Sequence, residues 1–178
     1  LKYYRAFAGT EVLSDRFCIA SGGKTNVILS PQDLVSCDGS DYGCNGGYLN
    51  NEWAYMQSTG VVEDSCFPYV SGYVKIIVKT LTVFKVTVMF PNVPLPAQAL
   101  ANPYFQEVQG QVYYSVAAGN IQQEIMTNGP VEAAFYVYRD FISYKSGVYH
   151  HTTGSFLGGH AIKIIGWGVD GSTPYWII

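Results

Sequence analysis

Apolar and small residues return at spacings of three and four along the first twenty positions. Ala6, Gly9, Leu13, Phe17 and Ala20 form one stripe, and Glu11, Ser14 and Asp15 lie on the polar side. That period predicts a helix over 5–20. Small residues at Ala6, Ala8 and Gly9 leave room for another segment to approach it closely. Ser30-Pro31-Gln32-Asp33 predicts the start of a second helix, with Ser30 as cap, Pro31 at the first helical position and Asp33 answering the cap. Positions 49–57 predict a short helix closed by Gly60. Positions 38–47 between these helices read as a glycine-rich loop.

Later in the chain the period changes. Asn120 is a candidate cap for a short helix over 121–127, with Gln123 in the reciprocal position and Asn128-Gly129-Pro130 ending it. From there Val131, Ala133, Phe135 and Val137 alternate with Glu132, Ala134, Tyr136 and Tyr138, which predicts a strand. Positions 139–145 read as a turn or short helix. A second strand is predicted from Gly158-Gly159-His160 onward, entered through the two glycines with His160 at its first ordered position. His160, Ile162 and Ile164 share one face; Ala161, Lys163 and Ile165 share the other. Gly166 and Gly168 punctuate its end, and 175–178 read as a further strand. Positions 73–90 are rich in strand formers and read as one or two strands, after which Pro91, Pro94, Pro96 and Pro103 mark an irregular connection.

Composition narrows the class. With 178 residues, 48% hydrophobic and 13% charged, the chain can bury a sizeable core as one compact unit or two small lobes. A formal charge of −3 gives no polyanion-binding signature, so nucleic acid is not an expected partner. No run reaches the length of a membrane span, and no signal peptide is visible. The chain lacks an initiator Met and stops within the strand-like 175–178, so it reads as a fragment or a processed chain.

The candidate chemistry centres on His160. A histidine held on a rigid apolar strand titrates near neutral pH and serves as a general base or acid. His150-His151 with His160 do not have the spacing of a metal motif, and no acidic ligand cluster accompanies them; they are read as a solvent-facing loop, and no metal or cofactor is expected.

Several motifs then occur together. Gly158-Gly159-His160-Ala161 precedes Gly166-Trp167-Gly168 and Pro174-Tyr175-Trp176; Asn128-Gly129-Pro130-Val131-Glu132 and Tyr144-Lys145-Ser146-Gly147-Val148-Tyr149 lie upstream; Gly43-Cys44-Asn45-Gly46-Gly47-Tyr48 lies earlier still. In this order they resemble the papain-like cysteine peptidases, within them the cathepsin B type. The resemblance covers about 5–70 and 113–178 and fails between. It implies an α+β, papain-like two-lobe fold: a helical lobe over 1–70, a divergent insertion or connection over 71–112, and an antiparallel, barrel-like β lobe over 113–178, with a cleft between the lobes. It also implies His160 as the catalytic histidine, position 4 as the nucleophile position, and Gly46, Gly47, Tyr48, Ala134, Gly159 and Ala161 as substrate-binding positions. Gly46 and Gly47 would pair through their backbone with an extended peptide, and Ala134 and Ala161 would line the pocket for its second residue. An asparagine just beyond Ile178 and a glutamine upstream of Leu1 would complete the family's machinery. Peptide or protein substrates, a propeptide or protein inhibitor as partner, and a lysosomal, vacuolar or secreted location follow from the same resemblance.

Two features depart from the pattern. Where the family writes Cys-Gly-Ser-Cys-Trp-Ala-Phe, this chain writes Leu1-Lys2-Tyr3-Tyr4-Arg5-Ala6-Phe7. Tyr4 therefore stands where the thiol nucleophile is expected, and a phenol with a reference pKa of about 10 is a bulkier and less ionised nucleophile than a thiol of about 8.5. Two readings stay open: an inactive homologue that binds peptides, binds partners or serves as a structural subunit, or a peptidase whose sequence is altered at these positions. The second departure is in the cysteines. Cys18, Cys37, Cys44 and Cys66 allow three pairings, and a Cys37–Cys44 closure is sterically conceivable. The resemblance instead implies that each is half of a different bridge whose partner is missing. The 71–112 segment also contains no histidine, so the paired histidines that confer C-terminal dipeptide removal on cathepsin B have no counterpart there.

Overall fold

The computed structural model describes residues 4–70 and 113–178, with position 4 described in its backbone only. The strands read over 73–90 and the proline-marked connection lie outside the described residues.

Helix α1 (Tyr4–Ala20) is the spine of the fold. Ala6, Leu13 and Phe17 are buried against Leu29, Leu34, Met56 and Val61, so the predicted stripe is the contact face of the helical core. Burying each of the larger side chains contributes roughly 1.5–3 kcal/mol. Ala20 does not belong to that face: it is exposed where the helix runs out into solvent. The polar side is only partly solvated, with Glu11 exposed. Ser14 Oγ donates to Thr10 O and accepts from the Leu29 backbone N–H at 3.1 Å, which ties the incoming loop to the helix.

Helix α2 (Pro31–Cys37) starts as the sequence predicts. Ser30 has an extended backbone and its side chain accepts from Asp33 N. Asp33 answers elsewhere, accepting from the Val62 backbone N–H and from Tyr55 Oη. A turn of 3₁₀ helix (Gly43–Asn45) leads to helix α3 (Leu49–Ser58), whose end is closed by Gly60 with φ 94°.

Helix α4 (Ile121–Asn128) corrects one expectation. Asn120 makes no side-chain capping bond; a 3₁₀ turn (Ala118–Asn120) feeds the helix instead. Strand β1 (Val131–Tyr138) pairs antiparallel with strand β2 (Phe156–Ile164). A 3₁₀ helix (Arg139–Ser143) begins the connection between them. Two further expectations change here. Gly158 and Gly159 lie inside β2 rather than before it, and Gly166 and Gly168 do not end a strand but build β3 (Gly166–Asp170), which pairs with β4 (Thr173–Ile177). At Gly168 the Tyr175 ring covers the space a side chain would need, so glycine there serves packing. Among the described residues the β part is thus two antiparallel ribbons, and β2 lies against α1. No helix among the described residues is long and apolar enough to cross a membrane.

Candidate active site

His160 sits mid-way along β2, directly opposite Phe135 of β1, with ring centroids 5.7 Å apart. The imidazole is half-buried, and burial pushes its pKa below the ordinary histidine value, favouring the neutral ring. The adjoining rungs of the ladder pair Ala134 with Ala161 and Tyr136 with Gly159. Two methyl groups therefore face one another one rung along from His160, on the opposite face of the ribbon from the imidazole.

The ribbon is fixed to α1 from the other side of β2. Lys163 Nζ lies 2.9 Å from Asp15 Oδ2 and 3.3 Å from Glu11 Oε2. Arg16 of α1 adds a second tie, donating from Nε to Pro130 O at 2.7 Å and from Nη2 to Glu124 Oε1 at 2.9 Å. The strand that carries His160 is thereby held against the helix that begins at Tyr4. The positive end of that helix favours an anion at its first turn.

Gly46, Gly47 and Tyr48 form the segment leading into α3. Gly46 has φ 101°, a conformation open to glycine. Gly47 has a separate reason: a side chain there would collide with the Asp41 carboxylate and Arg5 Nε. Asp41 Oδ1 accepts from the Tyr48 backbone N–H at 2.9 Å and from Asn51 Nδ2 at 3.0 Å, which fixes the loop from within. Tyr48 itself is 65% exposed and so available to a ligand.

A buried charge cluster lies behind this loop, with no local sign of it in the sequence. Arg5 Nη1 reaches Asp41 Oδ2 at 2.9 Å, Glu52 Oε2 at 3.1 Å and Asp38 Oδ2 at 3.3 Å. Trp53 Nε1 then donates to Glu132 Oε2 at 2.6 Å, joining α3 to β1. Glu132 shares the strand face of Ala134, so a period-two reading already placed its side chain on that side. A cavity of about 320 Å³ opens beside this bond, lined by Leu49, Trp53, Tyr113, Tyr114, Glu132 and Ala133 among others. Ala134 and Ala161 do not line it.

The remaining candidates are structural. His151 stacks on Tyr138 with centroids 3.7 Å apart and meets Asp140 Oδ2 at 3.1 Å. Asp140 also accepts from Tyr149 and the Thr152 and Thr153 backbone N–H groups; desolvation raises its pKa, and these bonds outweigh that and hold it well below the usual carboxylate range. Among the described residues no three His, Cys, Asp or Glu side chains are grouped as metal ligands. The four cysteines are free thiols, so the Cys37–Cys44 closure is not formed. Cys37 is exposed at the residue level, yet desolvation of its thiol, and then Asp33, pushes it up to about 12 and favours the protonated form.

Comparisons with known proteins cover nearly the whole chain. The family model for papain family cysteine proteases matches residues 5–178. The chain belongs to that family. Relatives include "Cathepsin B-like cysteine proteinase 4" of Caenorhabditis elegans, 41% identical over 97% of this chain and 56% of that protein. "Cathepsin B-like cysteine proteinase" of Schistosoma japonicum is 42% identical over 97% of this chain and 55% of that protein. Among solved structures, proCathepsin B S9 from Trypanosoma congolense matches with a TM-score of 0.74 and 32% identity, covering 97% of this chain and 56% of that one. The α+β papain-like fold is therefore shown, and this papain-family chain spans about half the length of the relatives it matches.

Proposed function

We propose that this chain is the cleft-bearing part of a cathepsin B-like cysteine peptidase, acting on extended peptides. The observation that carries the reading is the β1–β2 register, which puts His160 one rung from the Ala134–Ala161 pair on a strand held against α1. In this reading residues 1–70 and 113–178 act as two lobes, the backbone of Gly46 and Gly47 pairs with the substrate, and Tyr48, Ala134, Gly159 and Ala161 receive its side chains. This reading requires a cysteine where the sequence has Tyr4: its thiolate would attack the scissile carbonyl, and the C–N bond would break as the imidazolium of His160 gave its proton to the departing amine. Water, deprotonated by the same imidazole, then cleaves the thioester. Burial lowers the pKa of His160; a neighbouring thiolate would raise it.

Position 4 carries Tyr4, and that residue supports the second reading, a homologue that binds peptides without cleaving them. A propeptide or protein inhibitor in the cleft and a lysosomal, vacuolar or secreted site of action accompany the first reading, because the solved relative is a proenzyme. With no histidine in 71–112, strong removal of C-terminal dipeptides is not expected.

The test is treatment of the native protein with a cysteine-directed epoxide, followed by tandem mass spectrometry of its first twenty residues. An adduct on a cysteine at position 4, lost with peptide turnover in His160→Ala, is the result the peptidase reading requires. An unmodified Tyr4 in a protein that still binds peptides overturns it in favour of the inactive homologue.

A further inference from the structure

We propose that Glu52 and Glu132 share one proton and so form an acid-favoured latch between the helical part and the β ribbon. The geometry is the primary support. Glu52 is fully buried, and Glu132, half-buried at the edge of the cavity, has its Oε1 shut off from solvent; Glu52 Oε1 and Glu132 Oε1 have no hydrogen-bond partner among the described residues. Glu52 Oε1 fills the space over Gly9 of α1, where a Cβ would collide with it. Glu132 is fixed by the Trp53 bond across the lobes.

The charges around the pair decide its protonation. From α1 comes Arg5, the cation shared by the group; Arg16 lines the same cavity but is engaged by Glu124 and the carbonyls of Gly129 and Pro130. From the loop after α2 come Asp38 and Asp41, both bound to Arg5. From α3 comes Glu52, and from β1 Glu132. Four buried acids thus face one arginine whose Nη1 already serves three of them. Burying that much uncompensated negative charge is prohibitive, so the site retains a proton. Two orphaned carboxyl oxygens that repel one another when ionised are where it belongs. Burial raises both acids, and their mutual repulsion raises Glu52 further. The proton belongs to the pair rather than to either residue.

An acid whose pKa is higher folded than unfolded binds more protons in the fold. Its contribution is full below the unfolded value of 4.5 and is lost as pH rises through the raised folded value of the pair. The latch is therefore closed in acid and released towards neutral and mildly alkaline pH. Its bearing on the cleft rests on the peptidase reading. The latch itself does not, and the tests read stability and protonation rather than turnover, so the two proposals fail separately.

The experiment is thermal unfolding of the full chain from pH 4.5 to 8.5, beside Glu132→Gln, Glu52→Gln and the double variant. The Glu132→Gln change keeps an acceptor for Trp53. The chain is expected to lose melting temperature steadily as pH rises. Each single variant should lose at least half of that slope, and the double variant should be no flatter than the singles, since either change removes the shared proton. Equal slopes in all four overturn the latch. Where a variant does not fold, infrared spectra of the unaltered chain with ¹³C-labelled glutamate decide: a protonated glutamate band that persists at pH 6 and fades by pH 8.5 supports it, and fully ionised glutamates at pH 6 overturn it.

Discussion

Lys163 of β2 reaches Asp15 and Glu11 of α1 with one ammonium group, 2.9 and 3.3 Å away. The polar side of the first helix is thus the face on which the histidine-bearing strand is seated. All three side chains are partly exposed, so the gain is limited by screening. Lys163→Gln is expected to cost about 0.5–1 kcal/mol, with most of the loss gone at high salt. Urea denaturation at low and high ionic strength checks it; a loss that does not change with salt contradicts the ion-pair account.

Arg16 is a stronger tie because it is buried. It spans from α1 to the Gly129-Pro130 turn that launches β1, and its guanidinium also holds Glu124 of α4. Arg16→Ala leaves two carbonyls and a carboxylate without that donor, which is expected to cost about 2–4 kcal/mol. Arg16→Lys keeps the charge but not the fork and should recover less than half. Denaturation midpoints of the three chains compare them; full rescue by lysine would mean that charge alone matters.

Ser30 shows where local sequence signals are reliable. Its Oγ accepts from Asp33 N at 3.1 Å and donates to Phe67 O at 2.6 Å, and the residue is fully buried. Ser30→Ala removes the cap and strands a carbonyl, at an expected cost of about 1–3 kcal/mol. Ser30→Thr should retain the cap. Equal stability of Ser30→Ala and the unaltered chain in urea denaturation would exclude a capping role.

The legible parts of this fold are the ones governed by short-range rules. Ser30-Pro31, the period of α1 and the alternation of β1 each report a constraint that acts within a turn or a strand. The polar side of α1 was legible as polar but not as an interface, because Lys163 lies 148 positions from Asp15. Asn120 looked like a cap and is not one, since a 3₁₀ turn satisfies the helix start by backbone geometry. The glycines of β2 looked like a strand entrance, but ladder pairing with Tyr136 and Val137 carries the strand through them. The Arg5 cluster is built from three separate segments, so no window of sequence displays it.

Two explanations of the missing side chain at Gly47 can be separated by experiment. In the peptide-binding account, glycine lets a substrate backbone approach. The structure adds an inward reason, since a Cβ there meets Asp41 and Arg5 Nε. If the inward contact dominates, Gly47→Ala shifts Asp41, loosens its bonds to Tyr48 N and Asn51, and lowers stability even with no ligand present. The expected cost is about 1–3 kcal/mol, as for other overpacked sites. Asp41→Asn is expected to lower stability too, because it weakens the Arg5 contact, and adding Gly47→Ala to it should cost less than in the unaltered chain. Denaturation of the two single variants and the double variant measures that coupling. Strict additivity, with peptide binding lost and stability unchanged in Gly47→Ala, would leave substrate approach as the sole reason for the glycine.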